Sequence, residues 1–160
     1  MTDLRTNRGV TLVEILVVLG IIMVLSGIVV TVTLRVESQS KENALRNAFA
    51  LVGSALREYY EFKGQFPPQP ERNPANALVH IEAMLQELRS VPAARQVLDK
   101  LDPSFLKGEG GTADLRSLRD PWGTVMDYIH TPESTFPELI SAGPDRQFGT
   151  GDDISSKGKR

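Results

Sequence analysis

The sequence has no cysteine, so no disulfide framework, thiol nucleophile or thiolate zinc site can be built from it. Histidine is nearly absent, with only His80 and His130, and neither stands in a recognisable nucleophile or metal motif. A dense basic stripe is also missing: the formal net charge is -2, and the only basic cluster is the short run Lys157, Lys159 and Arg160. That balance argues against a nucleic-acid partner. There is no P-loop and no internal repeat. Between Val10 and Leu34 charge itself is missing, with Glu14 as the single exception. These absences leave little room for an enzyme, and they point instead to a chain with an anchor and a small polar domain.

The run from Val10 to Leu34 is longer than the ~20 apolar residues a bilayer core requires of a helix. As a helix it would measure roughly 37 Å, enough to cross a membrane with some tilt, and longer than an ordinary buried core helix. Arg5 and Arg8 precede it, which places the amino end in the cytoplasm and the following domain outside. No small-residue cleavage site closes the run, because Ser26-Gly27 sits in its middle. The segment reads as a retained anchor.

Glu14 therefore needs a partner or an interfacial position, since a carboxylate within lipid costs up to a few kcal/mol at the centre and less near the edge. Basic residues stop just before Gly9, and Val10-Thr11-Leu12-Val13 follow. Cleavage after Gly9 would create an amine on Val10, four residues before Glu14. Pairing that amine with the carboxylate, on one helix or between axially shifted helices, would remove a lone charge from lipid and set a register.

Gly9, Thr11, Leu12 and Glu14, behind a short basic leader and ahead of an apolar run, resemble the class III leader of type IV pilins and type II secretion pseudopilins. Two positions depart from that pattern: Val10 stands where Phe is usual, and Thr31 where many members carry Pro. The resemblance implies cleavage after Gly9 by a prepilin peptidase, N-methylation of Val10, and a role for Glu14 in assembly with a neighbouring subunit's amine.

Beyond the membrane run, Leu45, Phe49, Val52, Leu56 and Tyr59 recur at helical spacing, which predicts continuation of one helix to Gly64 and the Pro67-Pro68 pair. Leu78, Ile81, Leu85 and Leu88 predict a short helix, and Val97, Leu98 and Leu101 a second, separated by Pro92. GEGG at 108–111 reads as a loop. Strands are expected at Val125–Ile129 and Glu138–Ser141. The expected division is a leader at 1–9, a transmembrane helix at 10–34 and the exported half of the long helix at 35–64. A short-helix region at 65–116, a small sheet with an acidic loop at 117–154 and a frayed tail at 155–160 complete it. The fold class is α+β, a long amino-terminal helix packed on a small antiparallel sheet.

Asp120-Pro121-Trp122-Gly123 is a turn signature. In residues 141–154, Asp145, Asp152 and Asp153 lie in a Gly-rich loop. Such a loop is either an ordinary acidic surface loop or a source of oxygen ligands for a hard cation, and its spacing is not that of an EF-hand. The turn, with Ser141, Gly143, Asp145, Gly149, Asp152, Asp153 and Ile154, resembles the carboxyl-terminal half of the major pseudopilins of type II secretion. Arg146 stands where Gly is common. The resemblance implies a pilin-like fold, a calcium site with Asp145, Asp152 and Asp153 as side-chain ligands, and a cation that staples a loop no cysteine can staple.

The function it implies is a structural subunit of a helical homo-oligomeric pseudopilus. That filament grows from the inner membrane into the periplasm, beside minor pseudopilins and an inner-membrane assembly platform, and drives export across the outer membrane. A type IV pilin or a minor pseudopilin is the alternative within filaments, and a membrane-anchored enzyme the alternative outside them.

Overall fold

The computed structural model describes residues 11–69, 71–106 and 117–158, with the side chains of 27–35 outside the description. Two compact units divide after Ser40. A single helix, α1 (Leu12–Lys63), runs through that division. It starts at Thr11, whose hydroxyl accepts the backbone N–H of Glu14 at 3.2 Å. Thr11 and Glu14 have the spacing of a capping box, and Glu14 lies in the first turn, where the helix dipole favours an acid. The helix stops at Gly64 (φ 72°), whose N–H bonds the Tyr60 carbonyl at 2.8 Å.

In the first unit every large apolar residue described between Leu12 and Leu25 is at least 48 % exposed, Leu12 reaching 80 %. Nothing among the described residues covers that surface. Among the described residues no helix is long and apolar enough to cross a membrane. The run Val10 to Leu34 is described with its side chains only from Thr11 to Ser26.

The second unit holds the core. Leu45, Ala48, Phe49, Val52, Ala55, Leu56 and Tyr59 of α1 are buried, the 3.6-residue stripe read from the sequence. They join a cluster with the helix α2 (Ala77–Ser90), the short helix α3 (Pro92–Leu98) and the strands. Tyr59 donates from its hydroxyl to Glu87 Oε2 at 2.7 Å, tying α1 to α2. Burial, then that bond, pushes the Tyr59 phenol up to about 12, so it stays a donor at any physiological pH. On α2 the buried face is Ala77, His80, Ile81, Met84, Leu85 and Leu88. Leu78 is 47 % exposed, so the sequence stripe was one position out at its start. Ala77 and Met84 share the face instead, each four positions before Ile81 and Leu88 respectively. Val91 is extended ahead of Pro92, and Pro92 opens α3, as a residue before proline and a proline at the first helical position should behave.

Three antiparallel strands form the sheet in the order β1 (Asp127–Ile129), β2 (Glu138–Ser141), β3 (Ile154–Ser155). Asp127 pairs with Ile140, and Ile140 with Ser155. Val125 is not part of β1. It makes its own bridge to Arg119, because the Asp120–Gly123 turn folds the chain into a tight hairpin first. The boundary placed at Ile154 is corrected by β3. Ser155 is buried in that strand, the Ser156 hydroxyl accepts the Leu139 N–H at 2.9 Å, and the Ser156 N–H returns to the Leu139 carbonyl at 2.9 Å. The segment expected to fray is thus tied down through Gly158. Lys159 and Arg160 lie outside the described residues.

Candidate functional site: the helix start and the acidic loop

Gly9 and Val10, the expected processing residues, lie outside the described residues, and so does any amine paired with Glu14. Glu14 itself is exposed on the first turn of α1. Its backbone N–H is capped by Thr11, so its side chain is not needed to start the helix. Among the described residues no hydrogen bond of the Glu14 carboxylate is seen, and the side chain is exposed.

The second site is the acidic loop between β2 and β3. Its entry is fixed by Gly143 (φ 66°), where an added Cβ would stand 2.3 Å from the Asp152 carbonyl oxygen. Only glycine fits there, because both the backbone conformation and the close approach exclude a side chain. Gly143→Ala should therefore destabilise the second unit by at least ~2 kcal/mol. A thermal melt should show a drop of roughly 5 °C or more, and an unchanged melt would mean that the loop entry relaxes freely. Arg146, where glycine is common in the resembling family, also adopts a left-handed conformation (φ 63°), at a cost of about 1 kcal/mol. Its N–H reaches back to the Gly143 carbonyl at 3.2 Å, which closes a tight turn around Asp145.

Each of the three predicted ligands is held by a neighbour. Asp145 Oδ1 accepts the Gln147 N–H at 2.8 Å. Asp152 Oδ2 accepts the Asp145 N–H at 3.0 Å, and its Oδ1 accepts the Thr150 hydroxyl at 2.5 Å. Those two bonds, the hydroxyl first, hold the Asp152 carboxyl below the usual carboxylate range. Asp153 Oδ2 accepts the Gly149 N–H at 2.8 Å, while its Oδ1 is buried with no hydrogen-bond partner among the described residues. Asp152 and Asp153 also line a cavity of about 300 Å³ shared with Glu42 and Arg46 of α1. Asp145 and Asp152 are thus linked through one bond and Asp153 stands beside them. Among the described residues, however, no group of three or more His, Asp or Glu side chains is gathered as a metal cluster. The donors suit a hard cation in kind: carboxylates, one of them with a buried unsatisfied oxygen, on a loop rich in carbonyls.

A third cluster was not read from the sequence. His80 Nδ1 and Asp127 Oδ1 lie 2.8 Å apart, with side chains 0 % and 3 % exposed. In either charge state of the ring Nδ1 is the donor to the carboxylate, which leaves the Gln69 amide at 3.4 Å without a lone pair to bond. His80 Nε2 is buried with no partner among the described residues. Burial raises the Asp127 carboxyl, and the histidine pulls it part of the way back. Among the described residues the His80 ring makes polar contact only with Asp127 and the Gln69 amide, and the pair is almost wholly shielded from solvent. It joins α2 to β1 and has the form of a packing contact.

The sequence profile of the prokaryotic N-terminal methylation motif matches residues 4–30. The type II secretion system core protein G of Escherichia coli (strain K12) is 31 % identical over 153 residues, covering 95 % of this chain and 92 % of that protein. The chain belongs to the type II secretion core protein G family. The core protein G of Pectobacterium carotovorum subsp. carotovorum is 29 % identical over 151 residues, covering 94 % of this chain and 84 % of that one. No solved structure matches.

As a core protein G homologue the chain is a pseudopilin, and the methylation motif covers the helix start at which Thr11 and Glu14 sit. The alternatives of a type IV pilin or a minor pseudopilin are not favoured. Both relatives carry the name of a secretion-system core component and not of a catalytic activity. The sequence signal for the helix-start site was strong because motif, chain position and apolar run coincide. For the His80–Asp127 pair no local signal exists, since the partners are 47 residues apart.

Proposed function

We propose that this pseudopilin is the repeating subunit of a helical pseudopilus. The filament grows from the inner membrane and drives exported proteins across the outer membrane. The carrying observation is the run of apolar side chains on α1, from Leu12 to Leu25, that nothing among the described residues covers. An exposed apolar helix of this kind needs lipid or other copies of itself around it. In this reading residues 10–34 cross the inner membrane once before assembly, with the amino end in the cytoplasm and the second unit in the periplasm. On assembly the same surface passes from lipid to neighbouring helices.

A prepilin peptidase cuts after Gly9 and the new amine of Val10 is methylated. Glu14 of a subunit already in the filament faces the amine of the next. Minor pseudopilins and an inner-membrane platform are the further partners, and energy comes from a separate ATPase.

The test is an intact mass of membrane-extracted protein, expressed with and without a prepilin peptidase. Loss of residues 1–9 plus one methyl is expected only with the enzyme. A chain of unchanged mass in both would sink the processing step and, with it, the amine that Glu14 is to meet.

Calcium is the second element of the proposal. Asp145, Asp152 and Asp153 would hold it, with loop carbonyls completing the shell. Bound there, the ion supplies the positive charge that lets three carboxylates share one point, and it orders the loop in a chain without disulfides. Support comes from the ionised Asp152, the buried unsatisfied oxygen of Asp153 and the tight turn at Gly143–Arg146. Asp145→Ala should lower the melting temperature in calcium and leave it unchanged in chelator. An equal drop in both conditions would make Asp145 a turn residue only, through its bond to Gln147.

A further inference from the structure

Asp120 belongs to the Asp-Pro-Trp-Gly turn, 25 positions before Asp145 in the chain. It is nevertheless built into the acidic loop. We propose that Asp120 is the positioning residue that sets the geometry of the cation loop, acting through the Ser141 hydroxyl. The proposal rests on the calcium reading above and adds to it a residue that touches no cation.

Asp120 is 4 % exposed, and both its oxygens are used. Oδ1 accepts the N–H groups of Trp122 at 3.0 Å and Thr124 at 2.8 Å, which fixes the turn. Oδ2 accepts the hydroxyl of Ser141 at 2.6 Å. Ser141, at the end of β2, is fully buried. A hydroxyl has one proton, and here it goes to Asp120. The oxygen is therefore left facing the next donor as a pure acceptor, and that donor is the Gly143 N–H at 3.1 Å.

Gly143 is the residue whose backbone lies against the Asp152 carbonyl, and its own carbonyl accepts from Arg146. Asp145 then donates to Asp152. The line from Asp120 to the loop is short, buried and charge-assisted at its origin. Bonds of this kind are stronger than neutral ones and polarise their successors.

The polarity makes the proposal testable by exchanging a single heavy atom. Asp120→Asn can still accept from Trp122 and Thr124 through its oxygen, but it then presents an NH₂ to Ser141. Ser141 must accept where it donated, so both its lone pairs face donors and its buried proton loses the carboxylate that accepted it. Ser141→Ala cuts the relay while leaving Asp120 and its turn intact.

The experiment uses the full chain in detergent, with calcium chloride titrated calorimetrically and amide hydrogen exchange followed in chelator and in calcium. For both variants the calcium dissociation constant should rise about tenfold or more. Exchange at Gly143 and Asp145 should quicken by a similar factor, even in chelator, while amides of residues 45–59 stay as in the wild type. Unchanged affinity and unchanged loop exchange in both variants would overturn the proposal. Faster exchange in the 45–59 core of Asp120→Asn alone would mark global damage, and the Ser141→Ala result then decides. A wild-type chain that binds no calcium would overturn the cation reading separately. The exchange arm in chelator would still show whether Asp120 orders the loop.

Discussion

Glu14→Leu is expected to enter the membrane as well as the wild type and to be missing from the filament. Leucine is favoured in lipid and in helices, so insertion loses nothing by the change. The helix start survives too, because the Thr11 hydroxyl bonds the backbone N–H of residue 14 and not its side chain. What is lost is the carboxylate alone. An ion pair at 4 Å is worth about 4 kcal/mol at an effective dielectric of ~20, so each incorporation step should be disfavoured by roughly three orders of magnitude. Glu14→Gln keeps the shape and hydrogen-bonding reach and should recover only part of that. The measurement is the ratio of filament-associated to membrane-extracted subunit, taken beside an untagged wild-type copy. Leucine filaments at wild-type abundance would show that Glu14 is an interfacial residue with no assembly role.

The two ends of the chain differ in how much of them could be read beforehand. The core stripe of α1 was legible because Leu45, Phe49, Val52, Leu56 and Tyr59 repeat at the helical period, and Gly64 stops the helix through a backbone conformation that glycine favours. On α2 the same method put Leu78 on the buried face. Leu78 is as apolar as its neighbours, and only its angle relative to Ile81 and Leu88 distinguishes the two sides.

Strand β3 was invisible for a different reason. Two residues cannot show alternation, and Ser155 and Ser156 are fixed by bonds to Glu138 and Leu139, which lie far away in sequence. The acidic loop was legible as a composition and a resemblance, while the line from Asp120 through Ser141 to Gly143 was not. Hydrogen-bond direction is set by the fold that brings the turn beneath the loop, and no local pattern encodes it.

The His80–Asp127 contact gives the largest expected effect on stability. Removing His80 leaves the buried Asp127 without its side-chain partner, and removing Asp127 leaves His80 only the Gln69 amide at 3.4 Å. Stranding a buried charge in this way costs about 3–5 kcal/mol. His80→Ala and Asp127→Ala should each unfold the second unit much earlier in urea. The double variant His80→Leu with Asp127→Val is expected to be no worse than either single change, and near the wild type if the core closes. That would leave a large coupling energy in the double-mutant cycle.

The pH dependence separates the two partners' contributions. The Asp127 carboxyl is raised in the fold by burial, so the stability it contributes is fully present below its unfolded value of about 4. It is lost as pH rises through the higher folded value. Ionised Asp127 is thus a cost at neutral pH that His80 offsets in part. Asp127→Asn should remove this fall in stability above pH ~4, seen as a flatter profile of urea midpoints from pH 4 to 7. A profile as steep as the wild type's would assign the pH dependence to other carboxylates. If the double variant instead fails to fold, the pair is needed to seat α2 on β1, and its polarity fixes the register of that contact as well as filling space.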